Sequence, residues 1–176
     1  GRKTLYSVVL FINNNGLILL KALTDEQKAE IKAKLAPIIT ECGKKNGGIT
    51  KEYLTEFKEQ KKRPDDTNSC FFACVFKEVG LLDAQGLYSE EKAVEKGLKY
   101  AKEEDVDKVK QAAKACTKVN QESVSDGEKG CDRAKYLYNC MAEQKEQHVT
   151  LTISFIHLYI CIIKMKPYFP WSRHHA

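Results

Sequence analysis

The stretch that decides the fold is residues 70–80, which read CFFACVFKEVG. Phe72 and Phe76 recur at helical spacing and share one side of a helix that we place at about residues 67–79. Gly80 follows it, and glycine readily ends a helix in the left-handed conformation. The two cysteines of this stretch lie four residues apart, so they point to the same side and toward neighbouring elements. The stretch therefore predicts a buried helix that disulfides join to other helices.

Seven cysteines occur in the chain, and six of them fall between residues 42 and 140. Six cysteines in a domain of this size favour three disulfides, whereas the lack of a CxxC motif disfavours a metal site. Cys131 and Cys140 lie on opposite faces of a continuous helix, so they do not pair with each other. Excluding this pair and Cys70–Cys74 leaves ten of the fifteen formal pairings open. The seventh cysteine, Cys161, is left over.

Apolar residues at helical spacing predict six helices between residues 24 and 148. Thr24 and Gln27 predict a capping box for the first helix. Pro37 is expected to kink that helix or to split it in two. Thr50 is the predicted N-cap of the second helix, and the charged stretch after it is expected to be a solvated loop.

Helix N-caps and apolar spacing also predict helices in the second half of this region. Ser89 and Asp105 are the predicted N-caps of the fourth and fifth helices. The sixth helix is expected from about Glu128 to Gln144. Period-two alternation is absent from the region, so we expect no strands.

The two ends of the chain differ from the rest. Residues 1–22 combine a basic start with an apolar run, and we interpret them as a secretory signal peptide or its remnant. Residues 23–147 form the helical domain. Residues 148–176 form an atypical apolar and basic tail, uncharged from 149 to 163. We expect the tail to be an appendage to the usual domain, a segment that folds back over it, or a weak membrane contact. Its uncharged stretch is too short to predict a membrane span.

Charge and histidine content exclude several functions. All 24 acidic residues lie within 23–147, and six of the 29 basic residues lie outside it, so the net charge of +5 belongs to the ends. A nearly neutral domain with interleaved signs gives no basic footprint for nucleic acid. All four histidines follow residue 147, which disfavours catalytic triads and histidine-ligated zinc in the domain. We therefore expect no enzyme activity, no metal and no cofactor.

The cysteine spacing C-x27-C-x3-C-x41-C-x14-C-x8-C resembles the six-cysteine signature of insect odorant-binding proteins, as does the stretch CVFKEVGLLD at residues 74–83. The resemblance covers about residues 23–147. It implies an all-α fold of six disulfide-stapled helices around an internal apolar pocket. The bonds that it implies join the first cysteine to the third, the second to the fifth and the fourth to the sixth. In this chain they are Cys42–Cys74, Cys70–Cys131 and Cys116–Cys140.

The resemblance also implies a secreted carrier of small hydrophobic ligands such as odorants or pheromones. Expected partners are that ligand and, where it is released, an odorant receptor or a membrane surface, with no nucleic acid, and the carrier is expected as a monomer or weak homodimer. Apolar and aromatic residues at helical spacing are the candidates for the pocket lining: Leu35, Tyr53, Phe57, Phe72, Phe76, Leu82, Leu98, Val109, Tyr136 and Leu137.

Three alternatives remain open at this point. The first keeps the fold but assigns the carrier to haemolymph, reproductive or glandular fluid. The second is a helical lipid-interacting protein of the saposin type, whose cysteine spacing differs. The third is a secreted enzyme, which the missing histidines disfavour.

Overall fold

The computed structural model describes residues 24–147, with side chains through residue 144. Six α-helices and three short 3-10 helices occur in this part of the chain, and no strand does. This confirms the predicted all-α fold class. The α-helices are α1 (Asp25–Lys45), α2 (Lys51–Glu59), α3 (Ser69–Glu78), α4 (Glu90–Leu98), α5 (Val106–Ala115) and α6 (Cys131–Gln147). The 3-10 helices are Glu103–Asp105, Cys116–Gln121 and Gly127–Lys129.

Side-chain caps fix the starts of three helices as the sequence predicts. The N–H of Gln27 donates to Thr24 Oγ1 at 3.1 Å, and the N–H of Thr24 donates to Gln27 Oε1 at 3.0 Å. Thr50 and Ser89 each accept a bond from the N–H three residues further on, at 3.2 and 3.3 Å. These bonds satisfy N–H groups that have no partner within the helix.

Two predictions about α1 and α5 are corrected. Helix α1 runs without a break through Pro37, so the predicted split is wrong. Leu35 and Ile39 on either side of the proline are buried, and their packing holds the helix across the missing hydrogen bond. Asp105 precedes α5 but forms no side-chain cap, because its carboxylate instead accepts from Lys108 Nζ at 2.9 Å.

The start of α6 and the loop before α3 also differ from the predictions. Helix α6 begins at Cys131 and not near Glu128, because Gly130 has a φ of 75° and cannot belong to a right-handed helix. The carboxylate of Asp126 caps the helix instead, accepting from the N–H of Cys131 at 2.5 Å. Before α3, Pro64 is buried, although it lies in the charged stretch at residues 58–66 that we expected to be a solvated loop.

Helix α3 lies at the centre of the fold and packs on both α1 and α6. Its side chains Phe71, Phe72, Val75 and Phe76 are all buried. A helix that is apolar on most of its circumference must be covered on several sides, which explains its central position.

Three disulfides join the helices around α3. Cys42–Cys74 connects α1 to α3, Cys70–Cys131 connects α3 to the start of α6, and Cys116–Cys140 connects the end of α5 to α6. Their Cα–Cα distances of 5.7, 4.4 and 5.8 Å lie within the usual range for disulfides. The pairing that the resemblance implied is therefore confirmed, and α3 and α6 each hold two bonds.

The chain between α3 and α4 is fixed by Tyr88 and Asn120. The N–H of Tyr88 donates to Asn120 Oδ1 at 2.8 Å, and Asn120 Nδ2 donates to the Tyr88 carbonyl at 2.9 Å. The Tyr88 hydroxyl donates to the carbonyl of Ala113 at 3.0 Å, and burial raises the pKa of this phenol. These bonds position the start of α4 against α5.

Candidate functional site

A cleft of about 320 Å³ opens between α1, the C-terminal end of α3 and α4. Its volume lies at the lower end of the range for small-molecule sites. The apolar part of its lining comes from all three walls: Ile31, Leu35, Ile38, Val79 and Tyr100. Ile31 and Leu35 are almost fully buried, whereas Ile38, Val79 and Tyr100 keep part of their surface accessible. The cleft therefore has an apolar floor that a guest can reach.

The sequence builds this cleft through the turn after α3. Gly80 has a φ of 77°, which ends α3 and sends the chain back toward α4. Lys96 of α4 lies over this turn, since a methyl group added at Gly80 would sit 3.8 Å from Lys96 Cε. The turn at Gly80 therefore brings α4, the third wall of the cleft, beside the end of α3.

Charged side chains surround the cleft. Lys34, Lys96 and Lys99 contribute to its lining together with Glu78. Glu30 lies beside it, and its Oε1 accepts from Lys34 Nζ at 2.7 Å and also from Lys99 Nζ. These two lysines, Lys34 first, lower the pKa of the Glu30 carboxyl to about 2. The bond from Lys99 links α4 to α1 across the cleft.

An aromatic cluster fills the interior between α2, α3 and α6. The ring centroid of Phe72 lies 5.4 Å from that of Phe57, 6.5 Å from that of Phe76 and 5.0 Å from that of Tyr138. Phe57, Phe72 and Phe76 are buried. Burial also raises the pKa of Tyr138. These rings are close enough to pack against one another in the tilted and edge-on arrangements that aromatic side chains prefer.

Of the ten predicted lining residues, Leu35 lies in the cleft. Leu82, Val109 and Leu137 are buried, as are the three phenylalanines, and Leu98 is half-buried on α4. The lining role of these residues stays a prediction.

The two predicted tyrosines are half-buried and hydrogen-bonded. The Tyr53 hydroxyl accepts from Asn68 Nδ2 at 2.9 Å, and the Tyr136 hydroxyl donates to the carbonyl of Ser123 at 3.4 Å. Because a hydroxyl has one hydrogen and two lone pairs, Tyr53 keeps its own hydrogen for a further acceptor. Its role as a donor to a ligand stays a prediction.

Ile31, Ile38, Val79, Tyr100 and the three lysines were not predicted as lining. Ile31, Leu35 and Ile38 recur at spacings of four and three residues, a pattern that predicts an apolar stripe along α1. That stripe did not reveal that α4 leaves part of it uncovered. The sequence does not distinguish the three lysines as lining residues, because lysine is common on the exposed face of an amphipathic helix.

A second depression, of about 680 Å³, lies between α4 and α5. Its lining is mostly charged or polar and contains one aliphatic side chain, Val94. The remaining lining residues are Glu90, Glu91, Lys110, Gln111 and Lys114. This depression is wider and more open to solvent than the cleft beside α1, so a guest there would stay largely in contact with water. The cleft is therefore the better candidate.

Metal clusters and membrane-spanning helices are both absent from the part of the chain that the structure describes. Within residues 24–147, no group of three or more histidine, cysteine, aspartate or glutamate side chains is placed to hold a metal ion. No helix of this part of the chain is both long and apolar enough to cross a membrane. The predicted signal segment at 1–22 and the tail at 148–176 lie outside the described residues.

The fold and the cleft define a class: small all-α domains in which three disulfides join the helices beside an apolar cleft. Residues 24–144 match the model of the PBP/GOBP family, the pheromone-binding and general odorant-binding proteins. The chain belongs to this family, as its cysteine spacing indicated. Neither a curated protein nor a solved structure matches it significantly. Because the family consists of carriers and not of enzymes, the chain is a carrier of small hydrophobic ligands.

Proposed function

We propose that this chain carries odorants, pheromones or similar semiochemicals in an extracellular fluid, and that the cleft beside α1 takes the ligand. The observation that carries the proposal is the apolar cleft within a disulfide-bonded domain, whose accessible apolar surface comes from Ile38, Val79 and Tyr100. Three disulfides persist in oxidising fluids outside the cell, which supports an extracellular carrier.

The energetics suit reversible transport. A ligand that buries about 300 Å² of apolar surface gains roughly 7 kcal/mol. Association costs several kcal/mol of translational and rotational freedom. The few kcal/mol that remain correspond to roughly millimolar binding, and close shape fit with a polar contact must add about 4 kcal/mol to reach the order of micromolar. Such an affinity permits both uptake and release.

Displacement of a fluorescent apolar probe from the full chain by a panel of volatile alcohols, esters and aldehydes tests the carrier function. The variant Ile38→Gln places an amide in the floor, and the control Val94→Gln makes the same change at a half-buried residue outside the cleft. A half-buried aliphatic contact contributes about 1 kcal/mol, so Ile38→Gln should weaken binding about fivefold. If the two variants weaken ligand binding equally, the cleft is not the ligand site.

The extracellular role needs its own measurement. Antibodies against the purified chain should detect it in the fluid of the chemosensory organs. Detection in haemolymph or glandular fluid alone would favour the non-olfactory carrier. Confinement to the cell interior would overturn the extracellular assignment.

A further inference from the structure

The charges around the cleft are unequal. Three ammonium groups, those of Lys34, Lys96 and Lys99, belong to its lining, and Glu78 supplies its one carboxylate. Glu30 adds a second carboxylate beside it, and a single oxygen of that group is shared by Lys34 and Lys99. Counting both acids, the mouth keeps an excess of one positive charge, although the helical domain as a whole is nearly neutral.

Lys96 is the one lysine of the cleft lining that does not bond to Glu30. It takes part in none of the ion pairs formed within residues 24–144, whereas Lys34 and Lys99 both do. The neighbouring carboxylate whose charge acts on it, that of Glu95, is bonded to Lys92 at 2.8 Å, and these two opposite charges leave the excess at the mouth unchanged. Its side chain is half-buried over the end of α3, so its position is defined by packing and not only by solvent. A charge in such partly desolvated surroundings interacts more strongly with a counter-charge than one in open water does.

We propose that the cleft prefers amphiphiles with one anionic head group, namely fatty-acid-like carboxylates, and that Lys96 is the residue that selects the head group. The inference rests on the proposed function, since it assigns a ligand class to the same cleft. The apolar chain lies along Ile31, Leu35 and Ile38, and the carboxylate reaches the ammonium group at the mouth. A neutral head group gains no such attraction, and a cationic one is repelled by the excess positive charge.

Three ligands with the same twelve-carbon tail test this preference: dodecanoate, dodecanol and dodecyltrimethylammonium. Each displaces the fluorescent probe from the full chain at pH 8, where the carboxylate is fully ionised. We expect dodecanoate to bind about twofold to fivefold more tightly than dodecanol, because a solvent-accessible ion pair contributes up to about 1 kcal/mol. Dodecyltrimethylammonium should bind more weakly than the alcohol. Raising the salt concentration should weaken dodecanoate binding alone.

The variant Lys96→Gln should abolish the advantage of dodecanoate and leave dodecanol binding within about twofold. Lys32→Gln on the exposed side of α1 is the matched control, since it removes the same charge outside the cleft. If Lys96→Gln does not fold, the salt dependence of the unaltered chain decides instead. Equal binding of dodecanoate and dodecanol, or equal losses in both variants, would refute the head-group preference and leave the carrier function intact. No displacement by any of the three ligands would overturn both.

Discussion

The substitution Phe72→Ala asks whether the aromatic cluster is packed interior or pocket wall. Phe72 has no exposed surface, and its ring centroid lies 5.2 Å from that of Phe71 and 5.0 Å from that of Tyr138. Phe57 and Phe76 flank the same ring at 5.4 and 6.5 Å. Rings on several sides cannot all move inward, so truncation leaves a cavity.

The expected cost follows from this packing. Phe→Ala in a packed core lowers the free energy of unfolding by about 3–5 kcal/mol, and a site that cannot collapse lies in the upper half of that range. For a domain of this size, a loss of about 4 kcal/mol lowers the melting temperature by roughly 15 °C. Phe72→Leu keeps most of the volume and should cost less than about 1.5 kcal/mol.

Urea unfolding with the disulfides intact measures both variants, and probe displacement measures ligand affinity in parallel. We expect the large stability loss in Phe72→Ala together with an affinity within about twofold of the original, because Phe72 is not part of the cleft. A loss below about 1 kcal/mol accompanied by a tenfold change in affinity would refute this reasoning. It would instead support the prediction that Phe72 lines the ligand pocket.

Three further outcomes are expected. Asn120→Ala removes both hydrogen bonds to the Tyr88 backbone and should lower the free energy of unfolding by about 1–3 kcal/mol in urea titrations; an unchanged midpoint would contradict this. The carboxyl pKa of Glu30, followed by NMR, should lie near 2 rather than 4.5. Because folding lowers that pKa, the ion pair stabilises the fold above about pH 4.5 and is lost as the pH falls toward 2, so acidification from pH 7 to 5 should leave it intact. Amide hydrogen exchange should be faster in α4 than in α3, and equal protection would contradict the unequal burial of these helices.

Much of the fold could be predicted because its signals are local. Thr24, Thr50 and Ser89 identified helix starts, and Gly80 identified a helix end, since each acts on backbone groups within a few residues. The cap prediction failed at Asp105 because a nearby lysine competes for the carboxylate. The disulfide pairing needed the family resemblance, as helix geometry alone left several pairings open.

The candidate site was harder to predict because its residues meet only in three dimensions. Leu35 and Phe72 look alike in the sequence, each an apolar residue at helical spacing. Leu35 lies at the cleft because the neighbouring α4 covers α1 incompletely, whereas Phe72 is surrounded by rings from three helices. The pairing of Lys99 with Glu30 spans 69 residues, a separation at which sequence pattern carries no information.

The three walls of the cleft are held with unequal strength. Cys42–Cys74 joins α1 to α3 covalently, so these two walls keep their spacing. Helix α4 contains no cysteine, and its buried residues are the small Ala93 and Gly97, whereas α3 buries three phenylalanines. Local opening follows the weakest set of buried contacts, so α4 is the wall that moves first. A carrier must release its ligand without unfolding. On the proposed function, we expect the disulfides to maintain the fold while the wall without a disulfide opens for the guest.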